Sequence, residues 1–277
     1  MLDLSVIILT FNEEQNIRAC LQSLTWSNDI HVLDSGSTDN TITIAEEYGV
    51  KVKYNKFESF GKQRNYALEH CAIQNEWILF LDADEVATNE FVVAMEKAIL
   101  ESDNKTAGFY CCWKMILEDK WLKHCDNYPK WQFRLMRKGR AVFTDFGHGQ
   151  KEGTVLGEIK YIKEPYLHYG FSKGWHHWIA RHNRYSTLEA LDRIKKCPPF
   201  KQIFSKNKSI RNIALKSWLT KFPGWPLIRF FQAYIFNLGF LEGVPGFIYC
   251  VNIAYYEFLI VIKIRESKRK KHLCENI

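Results

Sequence analysis

The sequence predicts an α/β protein: a mostly parallel sheet flanked by helices, followed by a C-terminal helical region of different character. Three observations carry that expectation. Strand-like and helix-like patterns alternate over the first hundred residues. Strand-like runs such as "IILTF" and "ILFL" are apolar, as in a sheet covered on both faces. Beyond residue 196 the chain becomes basic, with long apolar stretches.

The elements follow in order. "LSVIILTF" (4–11) is a β-rich run, and "EEQNIRACLQSL" (13–24) puts Ile17, Cys20, Leu21 and Leu24 on one helix face. "DIHVLDSGSTDNT" (29–41) is a strand breaking into a turn, "TITIAEEYGV" (41–50) a helix ending at Gly49, and "VKVKYNK" (50–56) a strand. "GKQRNYALEHC" (61–71) is helical, and "EWILFLDADE" (76–85) is a strand. In parallel sheets ligands bind at the carboxyl ends of the strands. Three strands end in polar clusters: Asn12-Glu13-Glu14, Asp34-Ser35-Gly36-Ser37 and Asp82-Ala83-Asp84-Glu85. The topology places all three at one edge.

The last cluster ends a buried strand. Carboxylates spaced Asp-x-Asp suit Mg²⁺ or Mn²⁺, hard cations that also bind substrate phosphates. Without a cation they would repel each other. The plainer reading is an acidic helix start.

Later segments are less regular. "AGFYCCWKMIL" and "WQFRLMRKG" read as strands, "TDFGHGQKEGT" (144–154) as a polar loop, and "SKGWHHWIARHNRYSTLEALDRI" (172–194) as a helix. "PLIRFFQAYIFNLGFL" and "GFIYCVNIAYYEFLIVI" are apolar helices broken by "EGVPG" (242–246). Each is roughly 16–18 residues, short for a membrane span. An amphipathic hairpin lying in the membrane interface fits them better than a spanning pair or a buried helical subdomain.

The net charge of +7 is unevenly placed. Residues 200–277 carry 13 Lys+Arg and 4 Asp+Glu, a net of +9, which leaves −2 for the rest. These cations flank apolar helices, so the expected partner is an anionic membrane surface and not nucleic acid. The eight cysteines form no CxxC, which argues against a thiolate metal site. "MLDLSVIILTFNEE" is no secretory signal, so a cytoplasmic protein with reduced thiols is expected, peripheral on the inner face of the membrane. "LTFNEEQN" lacks glycine and "DSGSTDNT" is not GxGxxG, against a nucleotidyltransferase and a Rossmann oxidoreductase respectively.

"SVIILTFNEEQNI", "VLDSGSTDNT", "GKQRNYAL" and "ILFLDADE", in this order, resemble the family 2 glycosyltransferases of GT-A fold. "WQFRLMRKG", "FGHGQKEG" and "FLEGVPGFIYCVNIAYYEFLIVIK" resemble bacterial members that build lipopolysaccharide cores and exopolysaccharides. The resemblance implies a metal-dependent inverting enzyme moving a hexose or N-acetylhexosamine from a UDP-sugar to a lipid-linked or lipopolysaccharide acceptor. It implies a glycosyltransferase domain over 1–195, with a nucleotide-sugar half (1–105) and an acceptor half (106–195), then a membrane-associating region over 196–277. An inactive relative of the same fold is the alternative.

By the same resemblance Thr10, Asn12 and Glu13 line the nucleotide pocket. Asp34 meets base or ribose, and Asp39 holds its turn or the ribose. Lys62 and Arg64 approach the diphosphate, and Asn65 pins their helix. Asp82 faces ribose or sugar and Asp84 is the main metal ligand, with Asp82 and His168 as further ligands. Inversion needs a base near the acceptor hydroxyl. Glu118-Asp119 is the literal match to the family's "ED" element but comes too early, before "RLMR". Related members carry "HE" where this chain reads "GHGQKE", which points to Glu152, with His148 and Asp145 as alternatives. Trp131 and Arg134 shape the acceptor site, through an aromatic face and a guanidinium.

Overall fold

The structure, a computed structural model, describes residues 3–146 and 149–274. The chain forms two compact units. The first comprises Met1–Trp121 and Tyr128–Lys173; the second comprises Leu122–Asn127 and Gly174–Ile277. The helix over 174–195, placed in the first domain by its sequence, therefore groups with the C-terminal unit.

In the first unit, strands β1 (Leu4–Thr10), β2 (Asp29–Asp34), β3 (Lys51–Tyr54) and β4 (Trp77–Asp82) alternate with helices α1 (Ile17–Gln22), α2 (Thr41–Glu47) and α3 (Phe60–His70). β5 (Glu85–Val86) and α4 (Asn89–Leu100) follow, then β6 (Thr106–Leu117), β7 (Lys120–Trp121), β8 (Trp131–Arg137), β9 (Ala141–Phe146), β10 (Gly149–Val155) and β11 (Glu158–His168). The main sheet runs β3-β2-β1-β4-β8-β6-β11-β5. β1 pairs in parallel with both β2 and β4, and β6 with β11, whereas β8 lies antiparallel between β4 and β6.

The apolar runs are explained by burial on both faces. Val6, Ile8, Leu79 and Leu81 pack into one core cluster with Ile17 and Phe91. Their neighbours Ile7, Leu33, Ile78 and Phe80 pack into another with Ala67 and Phe133. Connections from β1 run outward to β2 and β3, then return to β4. Strand order thus reverses between β1 and β4, the place where such sheets open a ligand crevice at their carboxyl ends.

The polar stretch 144–154, expected as a loop, is mostly an antiparallel hairpin of β9 and β10. Phe143 is buried in the core and its backbone is held by Asn65, whose Nδ2 donates to Phe143 O at 2.9 Å while Oδ1 accepts from Phe143 N at 2.8 Å.

The second unit contains α5 (Gly174–Lys195), α6 (Lys208–Leu219), α7 (Trp225–Phe231) and α8 (Gly243–Cys274). The expected break between apolar helices falls slightly earlier, through a π-turn at Gln232–Phe236 and a 3-10 turn at Gly239–Glu242. Leu238 and Gly243 take positive φ there (60° and 66°). Pro245 then sits in the first turn of α8, where its missing N–H costs nothing. α8 carries the basic run through to Cys274 instead of releasing it as a tail. By length and composition alone, the helical stretch Gly239–Arg269 is long and apolar enough to cross a membrane, its most apolar 18-residue window having a mean hydropathy of 1.7.

The charges within this apolar region are partnered. Glu257 receives Arg193 through two nitrogens (2.9 and 3.3 Å) and the Trp225 indole at 3.0 Å. Glu242 is buried and accepts from the backbone N–H of His124 at 2.5 Å and of Cys125 at 3.2 Å. Asp126 in the same loop accepts from the Tyr249 hydroxyl. This clasp groups Leu122–Asn127 with the C-terminal helices.

Candidate active site

The ends of β1 and β2 are laced together. Asp34 is buried and accepts from Thr10 Oγ1 at 2.9 Å, from Gly36 N and Ser37 N at 2.7 Å, and from Ser37 Oγ at 2.5 Å. Its carboxylate folds the "DSGS" turn. Asn12, at φ 54°, takes the left-handed conformation that asparagine tolerates. Its N–H donates to Ser37 Oγ and its Oδ1 accepts from Thr38 N, both at 2.8 Å. Asp39 accepts from Thr41 N at 3.0 Å, Thr41 Oγ1 at 2.5 Å and Glu14 N at 3.1 Å, so it holds the turn. Glu13 pairs with Lys173 and accepts from Asn16 Nδ2 at 2.7 Å. Burial and the nearby Asp84 charge raise its pKa, against the pull of Lys173.

The Asp-x-Asp segment divides its carboxylates between two tasks. Asp82 faces two arginines: Oδ1 accepts from Arg64 at 3.1 Å and Oδ2 from Arg134 at 2.7 Å. Arg134 also donates to Glu85 Oε1 at 2.6 Å and to the Tyr166 hydroxyl at 3.3 Å. Glu85 Oε2 closes the loop by accepting from Asp82 N at 2.8 Å. Burial alone would raise the Asp82 pKa, but the two guanidinium charges outweigh it and hold the carboxylate well below its usual range. Burial pushes the Glu85 carboxyl up to about 7, against the opposing charge of Arg134.

Asp84 points elsewhere. Its Oδ2 lies 3.5 Å from His168 Nε2, and its backbone O accepts from Tyr169 N at 2.8 Å. Strand register sets this meeting, since β11 pairs His168 with Glu85. Burial would lower the His168 pKa; Asp84, then Glu85 and Asp82, outweigh it and raise it. His168 Nδ1 is buried with no hydrogen-bond partner. Among the described residues no three His, Cys, Asp or Glu side chains form a ready-made metal cage. Asp84 and His168 offer two ligands, which fits a cation completed by substrate phosphate and water.

Arg64 and Arg134 are fully buried, against expected contacts with diphosphate and acceptor; each instead neutralises Asp82. Arg64 also lies over the Phe80 and Phe143 rings. Lys62 is exposed and pairs with Glu58 at 2.6 Å. Trp131 is partly exposed with its ring edge-on to Tyr161, centroids 4.9 Å apart. Glu152 on β10 accepts from the Tyr110 hydroxyl at 2.5 Å. Asp145 on β9 accepts from Gly61 N at 3.0 Å, in the first turn of α3. A Cβ at Gly61 would meet Asp145 Oδ1 at 2.8 Å, so only glycine permits that approach. His148 lies outside the described residues.

The sequence placed Glu85 in the carboxylate cluster without a role of its own, and it announced neither Lys173 nor Tyr110. Lys173 and Tyr110 meet their partners from 160 and 42 residues away, which no local pattern announces.

A sheet whose order reverses at β1/β4, with acidic and amide side chains gathered at those strand ends, defines an open α/β protein with a ligand crevice at the carboxyl ends of its strands. The chain belongs to glycosyl transferase family 2, whose family model matches residues 5–151. It is 27% identical over 282 residues to an uncharacterized glycosyltransferase of Rickettsia conorii, covering 96% of this chain and 91% of that one. It is 26% identical over 279 residues to the lipopolysaccharide core biosynthesis glycosyltransferase LpsC of Rhizobium meliloti, covering 98% and 94%. Its fold is similar to that of the mannosyltransferase PcManGT from Pyrobaculum calidifontis, solved with GDP-Man and Mn²⁺. That match has a TM-score of 0.50 and 15% identity, covering 96% of this chain and 88% of that one.

Proposed function

We propose that this glycosyltransferase is a metal-dependent inverting enzyme. It transfers a hexose or N-acetylhexosamine from a UDP-sugar to a lipid-linked or lipopolysaccharide-core acceptor at the inner face of the cytoplasmic membrane. The observation that carries the reading is the division of labour at 82–85. Asp82 is neutralised by two buried arginines, while Asp84 faces His168 at the crevice end of the sheet. A divalent cation held by Asp84 and His168 would neutralise charge on the departing diphosphate. Thr10, Asn12 and Glu13 border the nucleotide pocket, over a turn fixed by Asp34 and Asp39. Lys62, exposed on α3, reaches the diphosphate by exchanging its Glu58 partner.

Glu152 takes the proton of the acceptor hydroxyl, with Tyr110 fixing its carboxylate. Asp145, tied to the N-terminus of α3, is the weaker candidate. Trp131 offers an aromatic face to an acceptor sugar. Likeness to LpsC over nearly the whole chain supports the lipopolysaccharide acceptor. The membrane location draws on the C-terminal unit, where Leu227, Phe231, Phe236, Leu241 and Val244 are all exposed.

The test is calorimetric binding of UDP, GDP and dTDP, each with and without Mn²⁺, to the native chain and to Asp84→Ala. Metal-dependent binding of UDP alone, lost in Asp84→Ala, is expected. Preference for GDP would replace the donor; binding indifferent to metal and to Asp84 would remove the metal mechanism.

A further inference from the structure

Residues 200–221 contain six Lys or Arg and no Asp or Glu. They fold as a short 3-10 helix, Phe200–Phe204, followed by α6. Trp218 meets the Phe200 ring edge-on at 5.1 Å and donates from Nε1 to Pro198 O at 3.2 Å. Of the α6 side chains described, only Ala214 is buried. Ile210, Ile213 and Leu219 are exposed, as are Phe204 and Phe222 at the segment's ends. A helix that leaves its aliphatic side chains in water gains nothing from burial within its own unit.

The basic residues farther along are differently disposed. Lys263 Nζ is bonded to Asn183 Oδ1 and Ser186 Oγ at 2.7 Å and to Thr187 Oγ1 at 2.9 Å. Arg265, Lys268, Arg269, Lys270 and Lys271 follow in sequence with Glu266 among them, and the last exposed large apolar side chain described before them is Ile262. Arg229 donates to Gln232 Oε1 at 2.6 Å. Unopposed cations and exposed apolar side chains therefore coincide in 200–222, whereas α7 and the first half of α8 expose apolar surface with little charge.

We propose that residues 200–222 form an anionic-lipid recognition element. Lys201, Lys206, Lys208 and Arg211 meet headgroup phosphates, while Phe204, Ile213 and Phe222 enter the interface. The apolar surface of α7 and α8 binds lipid regardless of its charge. This element rests on the membrane association proposed above and assigns its charge selectivity to one segment. Ile210, Ile213 and Leu219, exposed among the cations beside the Phe204 and Phe222 rings, offer bases no stacking face and favour lipid over nucleic acid.

The experiment measures co-sedimentation of the full chain with phosphatidylcholine vesicles and with vesicles that also contain phosphatidylglycerol. It compares wild type, the quadruple variant Lys201→Gln/Lys206→Gln/Lys208→Gln/Arg211→Gln, and the triple variant Arg265→Gln/Lys268→Gln/Arg269→Gln. Circular dichroism checks that each is folded. Each cation near an anionic surface contributes about fivefold in partitioning. The quadruple variant should lose on the order of several hundredfold on the anionic vesicles only, and the triple variant should retain most of its binding. Unchanged binding by the quadruple variant, or an equal loss in the triple variant, overturns the assignment while leaving membrane association intact. Wild type that sediments with neither vesicle removes membrane association itself. Wild type that prefers single-stranded RNA to anionic vesicles, with that binding lost in the quadruple variant, assigns the segment to nucleic acid instead.

Discussion

Arg64 and Arg134 are among the largest fully buried side chains of the first unit, whereas in the second Phe204 and Phe236 stand 77% and 79% exposed. Hydrophobic burial alone would dictate the reverse in both places. The first unit buries cations because Asp82 and Glu85 wait for them inside, so that each charge is paired and hydrogen-bonded. The second exposes phenylalanine without burying it elsewhere in the unit, in keeping with the lipid surface proposed for it. Unit one pairs its buried charges internally, and the exposed rings of unit two are the surface that the proposed lipid contact would cover.

This contrast can be broken in order of expected effect. Glu152→Gln acts where the chemistry is proposed, and kcat should fall roughly 10²–10⁴-fold with little change in donor KM. Initial-rate kinetics would pass the role to Asp145 if kcat held. Arg134→Met leaves Asp82 and Glu85 without their shared cation and should lower stability by about 3–5 kcal/mol in urea unfolding. A milder loss would mean that Arg64 alone can neutralise the pair.

The same substitution in both units sharpens the comparison further. Phe91→Ala, at 0% exposure, should cost about 3–5 kcal/mol, while Phe236→Ala should stay within about 0.5 kcal/mol and instead weaken vesicle binding. Equal costs would place Phe236 in a packed environment. An effect smaller than that of either buried substitution is acidic. Burial would raise the Asp29 pKa, but bonds from Lys51, Ser5 and Gln74 N outweigh it and lower it to about 2. Because the folded value lies below the unfolded one, this contribution of about 2 kcal/mol is complete above pH ~4 and fades as pH falls towards 2. Asp29→Asn should flatten that limb of the stability profile.

Much of the first unit was legible. Ile17, Cys20, Leu21 and Leu24, read as one helix face, are all buried, and the apolar runs at 4–10 and 77–82 are central strands. Neighbouring residues set these patterns, so the sequence carries them locally. The insertion of β8 between β4 and β6 was not legible, because pairing partners lie tens of residues apart. The partners of Arg134 were not legible for a related reason. Its guanidinium was assigned to the acceptor site, and it sits within "FRLM", an apolar run that is buried on both faces. A cation in the middle of such a run requires a buried anion, and that was the available clue. In the second unit apolar composition predicted helices but not their ends, which depend on Leu238 and Gly243 in left-handed turns.

The clasp on residues 122–127 has a consequence for modular exchange. Glu242, Asp126 and Tyr249 tie a loop encoded within the catalytic half to the C-terminal helices. A chimera made by one cut after Lys173 would carry that loop away from the acceptor of its backbone N–H groups. Recombination between relatives therefore preserves the clasp only when two distant stretches of the gene travel together.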